Sequence, residues 1–596
     1  MNRLAALLLP LLAACEPAAT TSAPLVAVHA VQGSGDESPY TGQTVRVRGV
    51  VTGDFQDDGS ADDGGLGGFF IASIEPDGDP ASSDGVFVFQ PQGGQGDITT
   101  GDVVEVTGRV VEHFGETQIV AEGIARGGTA AVEPVDLSFP VDDFERYEGM
   151  LVTVPEPLVI AGNRNLGRFG SLLLAAGERP YQYTNREAPD RDGYRAAGRR
   201  LETLSVILDD GSRGENPDPV RYAGGKVPPR SGNTIRGLTG NVRWSRGSGD
   251  SGDPAYRIMP TAEPVIEPGN PRTPPPERSG NLRVVSFNLL NLFSGLDDGN
   301  PTCGPRGDAA CRGADTKRER ERQLAKTVTA LRYLDADIVG VAEIENNARE
   351  SMELLVSALG ADGQSYRYVD TGAIGDDSIR VGFLYRPAAV TPVGEYALLT
   401  RAVDGRFDDR RNRPALAQTF RLDANGALLT VIANHLKSKG SDCDEVNDPN
   451  LGDGQGNCNR TRTYAAAALA EWSQGDPTGT GTKRALVIGD LNAYLREDPI
   501  RALENGGLVN LLDRDRGDLA YSYVYSGRAG ALDHALATPA LAGRVLRAGA
   551  WHSNADEPAL YDYNLDFGRD PGLFDAATPW RSSDHDPVVV DIELDP

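Results

Sequence analysis

The chain has 596 residues, of which 39% are hydrophobic, and its acidic residues exceed its basic ones by 28. One hydrophobic core does not organise a chain of this length, so we expect two to four domains. The negative charge counts against a protein that binds nucleic acid or anionic lipid through a broadly basic surface. It does not count against a metal enzyme, because a divalent cation at a carboxylate cluster reverses the local potential.

The first fifteen residues, MNRLAALLLPLLAAC, resemble a bacterial lipoprotein signal. Arg3 precedes an apolar run that is too short to span a bilayer and that ends in Leu-Ala-Ala-Cys. A buried N-terminal helix is the alternative, but no amphipathic periodicity follows. The resemblance implies cleavage before Cys15 and lipid attachment to it. The protein would then be exported, as a lipoprotein of the outer membrane or cell surface or as an extracellular protein.

The sequence pattern of residues 16–138 predicts a β module. GQTVRVRGVVT and GDVVEVTGRVVE alternate apolar and polar side chains, and GGFFIAS and GVFVFQP predict two strands between them. Short strands with internal glycines are typical of small closed barrels, and this stretch resembles the OB-fold modules that accompany extracellular nucleases. Two interpretations stay open for four phenylalanines, base stacking or, as strand alternation favours, the core. These residues are Phe69, Phe70, Phe87 and Phe89.

A second β domain is expected over residues 139–266, where RSGNTIRGLTGNVRWS repeats the glycine-spaced strand pattern. The segment 267–280, EPGNPRTPPPERSG, predicts a stiff and extended Pro-rich linker. From residue 281 to 596, apolar runs alternate with helical ones, as in LRVVSFNLL followed by TKRERERQLAKTVTALRYL. This alternation predicts one large layered domain of the α/β or α+β class.

Polar side chains recur in this last domain where apolar runs end. They are Asn288, Glu343, His435, Asp490, Asn492, Asp533, Asp584 and His585. A single residue of this kind is an ordinary turn or cap. Six strand ends that each carry a carboxylate, amide or imidazole indicate side chains that converge on one cleft.

These residue types meet the requirements of phosphodiester hydrolysis. A hard divalent cation takes oxygen ligands, whereas the attacking water needs a base and the charge developing on phosphorus needs donors. Candidate oxygen ligands are Asn288, Glu343, Asp490 and Asp584, and candidate donors are His435 and Asn492. The sequence has no Cys–His cluster, Gly-rich phosphate loop with Lys, or Gly-x-Ser-x-Gly elbow. Zinc held by soft ligands, a P-loop NTPase and a serine hydrolase of that fold are therefore disfavoured.

Seven motifs in order carry a specific resemblance: SFNLLN, VAEIEN, RRNRPALAQTF, ANHLKSK, GDLNAY, LDHAL and SSDHDPVV. They resemble the endonuclease/exonuclease/phosphatase family, whose DNase I-like fold is an α+β four-layered β-sandwich. HLKSKGSDC and WHSNADEPALYDYN further resemble the secreted bacterial nucleases related to ExeM. The resemblance implies an extracellular enzyme that uses Mg²⁺ or Mn²⁺ and hydrolyses DNA, with RNA left open as a substrate.

The resemblance also implies a role for each matching residue. The catalytic set is His435, Asp490, Asn492, Asp533 and His585, the metal set is Asn288, Glu343 and Asp584, and the phosphate-binding set is Arg413, Arg380 and Lys437. Asp533 would orient His585. Arg380 would replace a tyrosine that many family members place before the strand VGFLYRP. Asp586 is expected to cap the turn before Pro587, and His534 to be structural.

Apart from Cys15, the cysteines form two local pairs, Cys303 with Cys311 and Cys443 with Cys458. In an exported protein these pairs predict two disulfides that close loops. A zinc site is the alternative, but neither pair has the spacing of a zinc knuckle. The acidic loop inside the second pair could hold a structural Ca²⁺, although it lacks the EF-hand register and a solvated loop fits equally well.

Three classes of function stay open. A nuclease leads, but the same fold supports phosphatases and phospholipid phosphodiesterases, and a surface nucleic-acid-binding protein with an inactive domain is the third. The acidic residues and histidines of the motifs are all present, which counts against an inactive domain. No obligate protein partner is evident. We expect a locally basic cleft to attract DNA despite the net charge. The residues expected to form it are Arg410, Arg411, Arg413, Lys437 and Lys439.

Overall fold

The computed structural model describes residues 23–56, 65–91, 98–250, 252–363, 365–569 and 571–596. The signal-like segment and Cys15 lie outside the described residues, so the lipid anchor stays a prediction. Within the described ranges, no helix combines the length and the apolar character needed to cross a membrane.

The first module is a closed β-barrel. Its strands among the described residues are Leu25–Val26, Thr44–Phe55, Gly68–Ala72, Gly85–Phe89, Asp102–His113 and Glu116–Thr129, and its helix is Val28–Gln32. The ring closes because Thr44–Phe55 pairs with both Gly68–Ala72 and Asp102–His113. The strand Gly85–Phe89 runs parallel to Glu116–Thr129. The alternating valines face the interior, as the period of two predicts.

The four phenylalanines of this module are largely core residues. Phe69 and Phe70 are 0% exposed and Phe87 is 1% exposed, while Phe89 is partly buried. Phe70 and Phe87 pack against Met259 of the second module. They therefore belong to an interface between modules and do not form a free stacking surface.

The second module is built on one nine-stranded sheet within the described part of the chain. In sheet order its strands are Val265–Glu267, Thr234–Arg236, Leu158–Gly162, Leu172–Ala176, Ser205–Leu208, Ala255–Pro260, Thr239–Ser245, Leu151–Thr153 and Val135–Asp136. It also carries the helices Leu166–Phe169, Tyr183–Arg186 and Arg191–Thr203, which the β pattern did not predict. Since Val135–Asp136 pairs with Leu151–Thr153, this module begins before residue 139.

The Pro-rich segment packs along the C-terminal domain. Asn270 Nδ2 donates to Asp556 Oδ2 at 2.7 Å, and Trp551 Nε1 donates to the Thr273 carbonyl at 2.8 Å. Arg272 pairs with Glu557 at 2.7 Å. The segment is thus held against the domain that it precedes and does not act as a free spacer.

The C-terminal domain contains two six-stranded sheets, counted over the described residues. The first, in sheet order, is Arg367–Tyr368, Ile379–Tyr385, Ile338–Glu345, Leu282–Leu292, Val588–Ile592 and Val545–Ala550. The second is Val390–Leu399, Ala415–Leu422, Leu428–His435, Ala485–Asp490, Asp533–Ala537 and Val509–Asn510. A hairpin, Tyr523–Tyr525 and Arg528–Gly530, lies outside both sheets.

Helices cover the outer faces of these sheets. They are Lys317–Leu334, Glu350–Ala361, Asn459–Gln474 and Asp498–Asn505, whereas the short helices Leu511–Arg516 and Pro539–Ala542 contribute leucines to the central core. Apolar side chains of both sheets form the central core, and the first two helices pack on one outer face while the next two pack on the other. The result is the four-layered α+β sandwich that the sequence predicts.

Both local cysteine pairs are disulfides. Sulfur–sulfur distances are 2.04 Å for Cys303–Cys311 and 2.07 Å for Cys443–Cys458. Each bond closes a short surface loop, as expected from the pairing along the chain.

Candidate active site

Strand ends of both sheets meet at one edge of the sandwich. Asn288 and Glu343 lie on neighbouring parallel strands of the first sheet. In the second sheet, His435 pairs in register with Asp490, and Asp490 pairs with Asp533 on its other side. The first four of these residues lie on two pairs of parallel strands, whose carboxyl ends meet at the same edge, and Asp533 begins the antiparallel strand beside Asp490, so all five side chains lie at that edge.

The first group at this edge combines Glu343, His435 and Asp490. Their potential ligand atoms lie within 4.8 Å of one another, and His435 Nε2 is 3.6 Å from Asp490 Oδ2. Asn288 Nδ2 donates to Glu343 Oε1 at 3.1 Å, while its oxygen accepts from the Leu290 backbone at 3.1 Å. Asn288 therefore orients Glu343 as a donor, and its role as an oxygen ligand stays a prediction.

The second group is a dyad that faces the first. His585 Nδ1 lies 2.7 Å from Asp533 Oδ2, which also accepts from Ser522 Oγ at 2.8 Å. His585 Nε2 is 4.0 Å from Asp490 Oδ2. The ring of Tyr523 stacks on His585 with centroids 4.5 Å apart. Asp533 thus fixes the imidazole on one side and leaves Nε2 facing the cleft.

The two histidines differ in charge. Burial, with help from the nearby Arg413 guanidinium, holds the pKa of His435 well below its usual value. Burial alone would lower the pKa of His585 too, but the carboxylates of Asp533 and Asp584 raise it well above its usual value. These surroundings therefore favour the neutral form of His435 and the protonated form of His585.

The acidic residues at this edge suit a hard divalent cation. Burial raises the pKa of Asp490 to about 7, and burial together with the Asp584 charge raises the pKa of Glu343. Neither carboxylate pairs with a lysine or arginine among the described residues. Oxygen ligands with unbalanced negative charge are what Mg²⁺ and Mn²⁺ bind, so Glu343 and Asp490 would hold such a cation, with Asp584 beside them.

The backbone is strained at the same place. Glu343 and Asn492 adopt the left-handed region, with φ of 58° and 49°. Gly489 has φ of 135°, and a Cβ there would lie 2.0 Å from the Asn434 carbonyl oxygen, so only glycine fits. Asn492 donates its backbone N–H to Asp490 Oδ1 at 2.9 Å and its side chain to the Leu436 carbonyl at 3.1 Å. Such strain concentrates at functional sites, where surrounding contacts maintain it.

A cleft of about 670 Å³ contains these groups, and we call it the catalytic cleft. The predicted residues that line it are Glu343, Arg413, His435, Asp490, Asn492, Asp584 and His585. Asp533 is buried behind His585 at 1% exposure. The structure therefore brings most of the predicted residues to one cavity.

Two predicted phosphate contacts do not reach the cleft. Arg380 is 1% exposed and donates to Thr371 Oγ1 at 3.2 Å, and burial lowers its pKa to about 10. It lies on the strand after Ile379, whose side chain does line the cleft, so alternation points Arg380 the other way. The Lys437 ammonium contacts Ser441 Oγ instead.

The expected basic cleft is electrically balanced. Arg413 Nε donates to Asp377 Oδ2 at 2.9 Å, and Lys439 pairs with the buried Glu497. Arg410 and Arg411 each pair with Asp408. Every cation of the predicted set except Lys437 thus has a carboxylate partner. The excess of acidic residues therefore neutralises most of the positive charge that was expected in this cleft.

Sequence reasoning missed several residues that line the cleft or support it. They are Arg312, Tyr494, Tyr523 and Arg528 in the cleft, and Ser522 behind Asp533. The alternation in YSYVYSGRAG, a β-prone run around Ser-Gly, would have predicted a hairpin. Nothing in the local pattern places that hairpin over His585, which is 62 positions after Tyr523 in the sequence.

Asp586 does not cap the turn before Pro587. Its Oδ1 accepts from the backbone of Asn554 at 2.8 Å and of Ala555 at 2.9 Å, and its Oδ2 lies 2.8 Å from His552 Nδ1. It therefore anchors the segment WHSNADEP beside the site. His534 is buried with Nε2 2.8 Å from the Ala493 carbonyl, which fits the predicted structural role.

The acidic loop inside the second disulfide has a structural use for one carboxylate. Asp448 accepts from the backbone of Arg460 at 3.1 Å and of Thr461 at 2.8 Å, at the start of the helix Asn459–Gln474. Among the described residues, the groups of His, Cys, Asp and Glu spaced for a shared metal ion lie elsewhere. No such group supports the hypothesis of a structural Ca²⁺ site in the loop between Cys443 and Cys458.

The C-terminal domain matches a known protein family. Residues 285–585 match the model of the Endonuclease/Exonuclease/phosphatase family. A mannosyl-6-phosphatase of Bacteroides thetaiotaomicron is 18% identical and aligns over 52% of this chain and 99% of its own, with a TM-score of 0.33. The human nocturnin catalytic domain is 15% identical over 53% and 96%, with a TM-score of 0.32. An AP endonuclease of Archaeoglobus fulgidus is 16% identical over 52% and 99%, with a TM-score of 0.31. No curated protein matches the chain.

Proposed function

Because the chain belongs to the Endonuclease/Exonuclease/phosphatase family, we propose that it is an extracellular nuclease that depends on a divalent metal. It would hydrolyse phosphodiester bonds of DNA, with RNA as a second substrate. The observation that carries the proposal is the convergence of Glu343, His435 and Asp490 on the Asp533–His585 dyad in one cleft.

The protein groups divide the work of hydrolysis between them. A cation held by Glu343 and Asp490 would neutralise charge on the phosphate. Asp490, at hydrogen-bond distance from the Asn492 backbone, is suited to orient the attacking water and accept its proton. His585, protonated and held by Asp533, donates from Nε2 to a phosphoryl oxygen.

The bond changes balance within this scheme. The water oxygen forms a bond to phosphorus as one phosphorus–oxygen ester bond breaks, and the proton that Asp490 accepts from the water balances the proton that the leaving oxygen takes up from the solvent. His435 is neutral and lies 3.6 Å from Asp490, so it can contact the phosphate without adding positive charge. Asn492 holds the Asp490 carboxylate through its backbone N–H.

Export and the identity of the barrel belong to the same proposal. We propose that the barrel is an OB-fold module. Five of its strands, all except Leu25–Val26, form the closed ring, and one pair of neighbours in that ring is parallel, which supports the proposal. Two disulfides support an oxidising compartment, as expected for a lipoprotein anchored through Cys15 or a secreted nuclease related to ExeM.

The test is direct. Purified protein with Mg²⁺ or Mn²⁺ is expected to degrade plasmid DNA, and EDTA is expected to stop the reaction. RNA, a phosphomonoester and a phospholipid are assayed in parallel. If DNA and RNA stay intact while one of the other substrates is hydrolysed, the phosphatase or phospholipid phosphodiesterase alternative replaces the nuclease. Binding of DNA without hydrolysis of any substrate would point to the inactive binding protein.

A further inference from the structure

The second module holds a catalytic element in place. Its segment around residues 180–182 adds to the edge of the hairpin that carries Tyr523. Gln182 N–H donates to the Ala529 carbonyl at 2.8 Å, and Ala529 N–H donates to the Pro180 carbonyl at 3.0 Å. Since Tyr523 stacks on His585, the second module helps to position the dyad through this hairpin.

The contact at the hairpin tip leaves no room for side chains. A Cβ on Gly162 of the second module would lie 3.2 Å from Gly527 Cα, and a Cβ on Gly527 would lie 2.5 Å from a methyl group of Leu173. Gly527 also has φ of 72°, which disfavours other residues. Two glycines thus let the backbones of the module and the hairpin meet.

A groove of about 820 Å³ runs between the second module and the C-terminal domain, and we call it the flanking groove. Asn163, Arg164 and Arg168 line it from the module. Three of its residues, Tyr523, Tyr525 and Asp584, also line the catalytic cleft, so the two cavities adjoin. A substrate longer than one phosphodiester therefore has a path from the dyad into this groove.

The flanking groove adds an unpaired positive charge beside the catalytic cleft. Arg164 is exposed, and no ion pair or hydrogen bond of its side chain is found among the described residues. By contrast, Arg413 in the catalytic cleft is paired with Asp377. Arg164 is close enough to Tyr523 to oppose the rise in that hydroxyl's pKa, which burial causes. An unpaired guanidinium at the end of an acidic cleft is suited to a phosphate.

Exposed aromatic rings line the same groove. Tyr525 is 52% exposed and Phe567 is 54% exposed, although large apolar side chains usually bury. Tyr525 can stack on the face of a nucleobase, and Phe567 can do so on the side opposite the Arg168 guanidinium, which lies 4.5 Å from its ring centroid. The combination of one free arginine and two open rings matches single-stranded nucleic acid better than a small phosphate ester.

We propose that the second module is a wall of the substrate site, where Arg164 binds a phosphate next to the scissile one and Tyr525 and Phe567 stack on adjoining bases. This inference rests on the proposed nuclease function and deepens it. The preferred substrate is then a single-stranded or locally opened strand of several nucleotides, read without sequence preference.

Arg164→Ala in the full chain tests this wall. The Michaelis constant for a 20-nucleotide single strand is expected to rise about fivefold to tenfold, and the slope of log affinity against log salt to fall by roughly 0.7, the value for one lost phosphate contact on a single strand. Arg199→Ala is the matched control, since Arg199 is exposed on the same module but does not line the groove. Phe567→Ala is expected to raise the same constant about fivefold or more.

The small diester bis(p-nitrophenyl) phosphate separates the two proposals. Its hydrolysis reports the catalytic cleft, so the ratio of kcat/KM for the strand to that for the diester is expected to fall in Arg164→Ala. If the unmodified protein cleaves neither DNA nor RNA, the nuclease proposal fails. If it cleaves them and Arg164→Ala keeps the Michaelis constant, salt slope and substrate ratio of Arg199→Ala, the groove proposal is overturned while the function stands.

Discussion

Buried carboxylates occupy two regions of this protein with opposite electrostatics. In the catalytic cleft, Asp490 meets only histidines at ion-pair distance among the described residues, and burial raises its pKa to about 7. At the interface between modules, burial alone would raise the pKa of Asp556, but Arg179 and Arg230 hold it below its ordinary value.

The difference separates binding capacity from structure. A buried carboxylate without an arginine or lysine partner can bind a cation. A carboxylate surrounded by arginines is already neutralised, and its ion pairs hold two modules together. Asp556 also accepts from the Tyr521 hydroxyl at 2.9 Å and from Asn270 at 2.7 Å, so its oxygens are occupied. Residue type and burial are the same, and the neighbours decide the role.

The largest expected effect is that of Asp490→Asn on activity. This change removes the charge that orients water and binds the cation, so kcat/KM on DNA is expected to fall about 10³-fold or more. Because the change also removes a buried charge that has no lysine or arginine partner among the described residues, the metal-free protein is expected to unfold at the same temperature or a higher one. A loss of thermal stability equal to that of Asp556→Ala would erase the distinction between the two regions.

Asp556→Ala is expected to affect folding instead. It leaves the Arg179 guanidinium buried without its carboxylate and removes one of the two carboxylate partners of Arg230, which keeps Glu557, and this costs about 3–5 kcal/mol in unfolding free energy. Denaturant unfolding measures this cost. Asp376→Ala is the control, since its side chain is 83% exposed and it is expected to change stability by at most about 0.5 kcal/mol. Equal effects of the two substitutions would show that the interface network does not stabilise the protein.

Asp533→Asn tests the link between the dyad and pH. The Asp533 carboxylate holds the pKa of His585 above its usual value, so the imidazolium persists to higher pH in the unmodified protein. Without that charge His585 loses its proton at lower pH, so the alkaline limb of the pH–activity profile is expected to shift to lower pH. Activity at neutral pH is expected to fall roughly 10²-fold. An unshifted alkaline limb would exclude His585 as the group that titrates there.

Arg410→Ala is expected to have the smallest effect. Arg410 is exposed and already pairs with Asp408 at 2.8 Å, so removing it changes the local field little. The Michaelis constant for DNA is expected to change less than about twofold. If the Michaelis constant rises as much as is expected for Arg164→Ala, Arg410 attracts DNA despite its ion pair. The prediction of a basic cleft would then stand, and pairing with a carboxylate would not separate active from inactive cations.

The sequence alone determined the features that depend on local pattern. Alternating valines predicted the barrel strands, alternation of apolar and helical runs predicted the layered domain, and polar residues at strand ends placed Glu343, His435 and Asp490 at one edge. The cysteine pairs predicted the disulfides because each closes a short loop. These inferences succeed since the period of a strand and the direction of parallel neighbours are set over a few residues.

Tertiary structure decided everything that depends on distant partners. It turned Arg380 away from the cleft, paired Asp586 with His552, and stacked Tyr523 on His585. It also brought Arg164 of the second module into the flanking groove, which adjoins the catalytic cleft. A side chain's partner in these cases lies tens or hundreds of positions away, and only the packing of whole modules settles which charge meets which. The sequence thus determined which groups could do chemistry, and the fold decided which of them are free to do it.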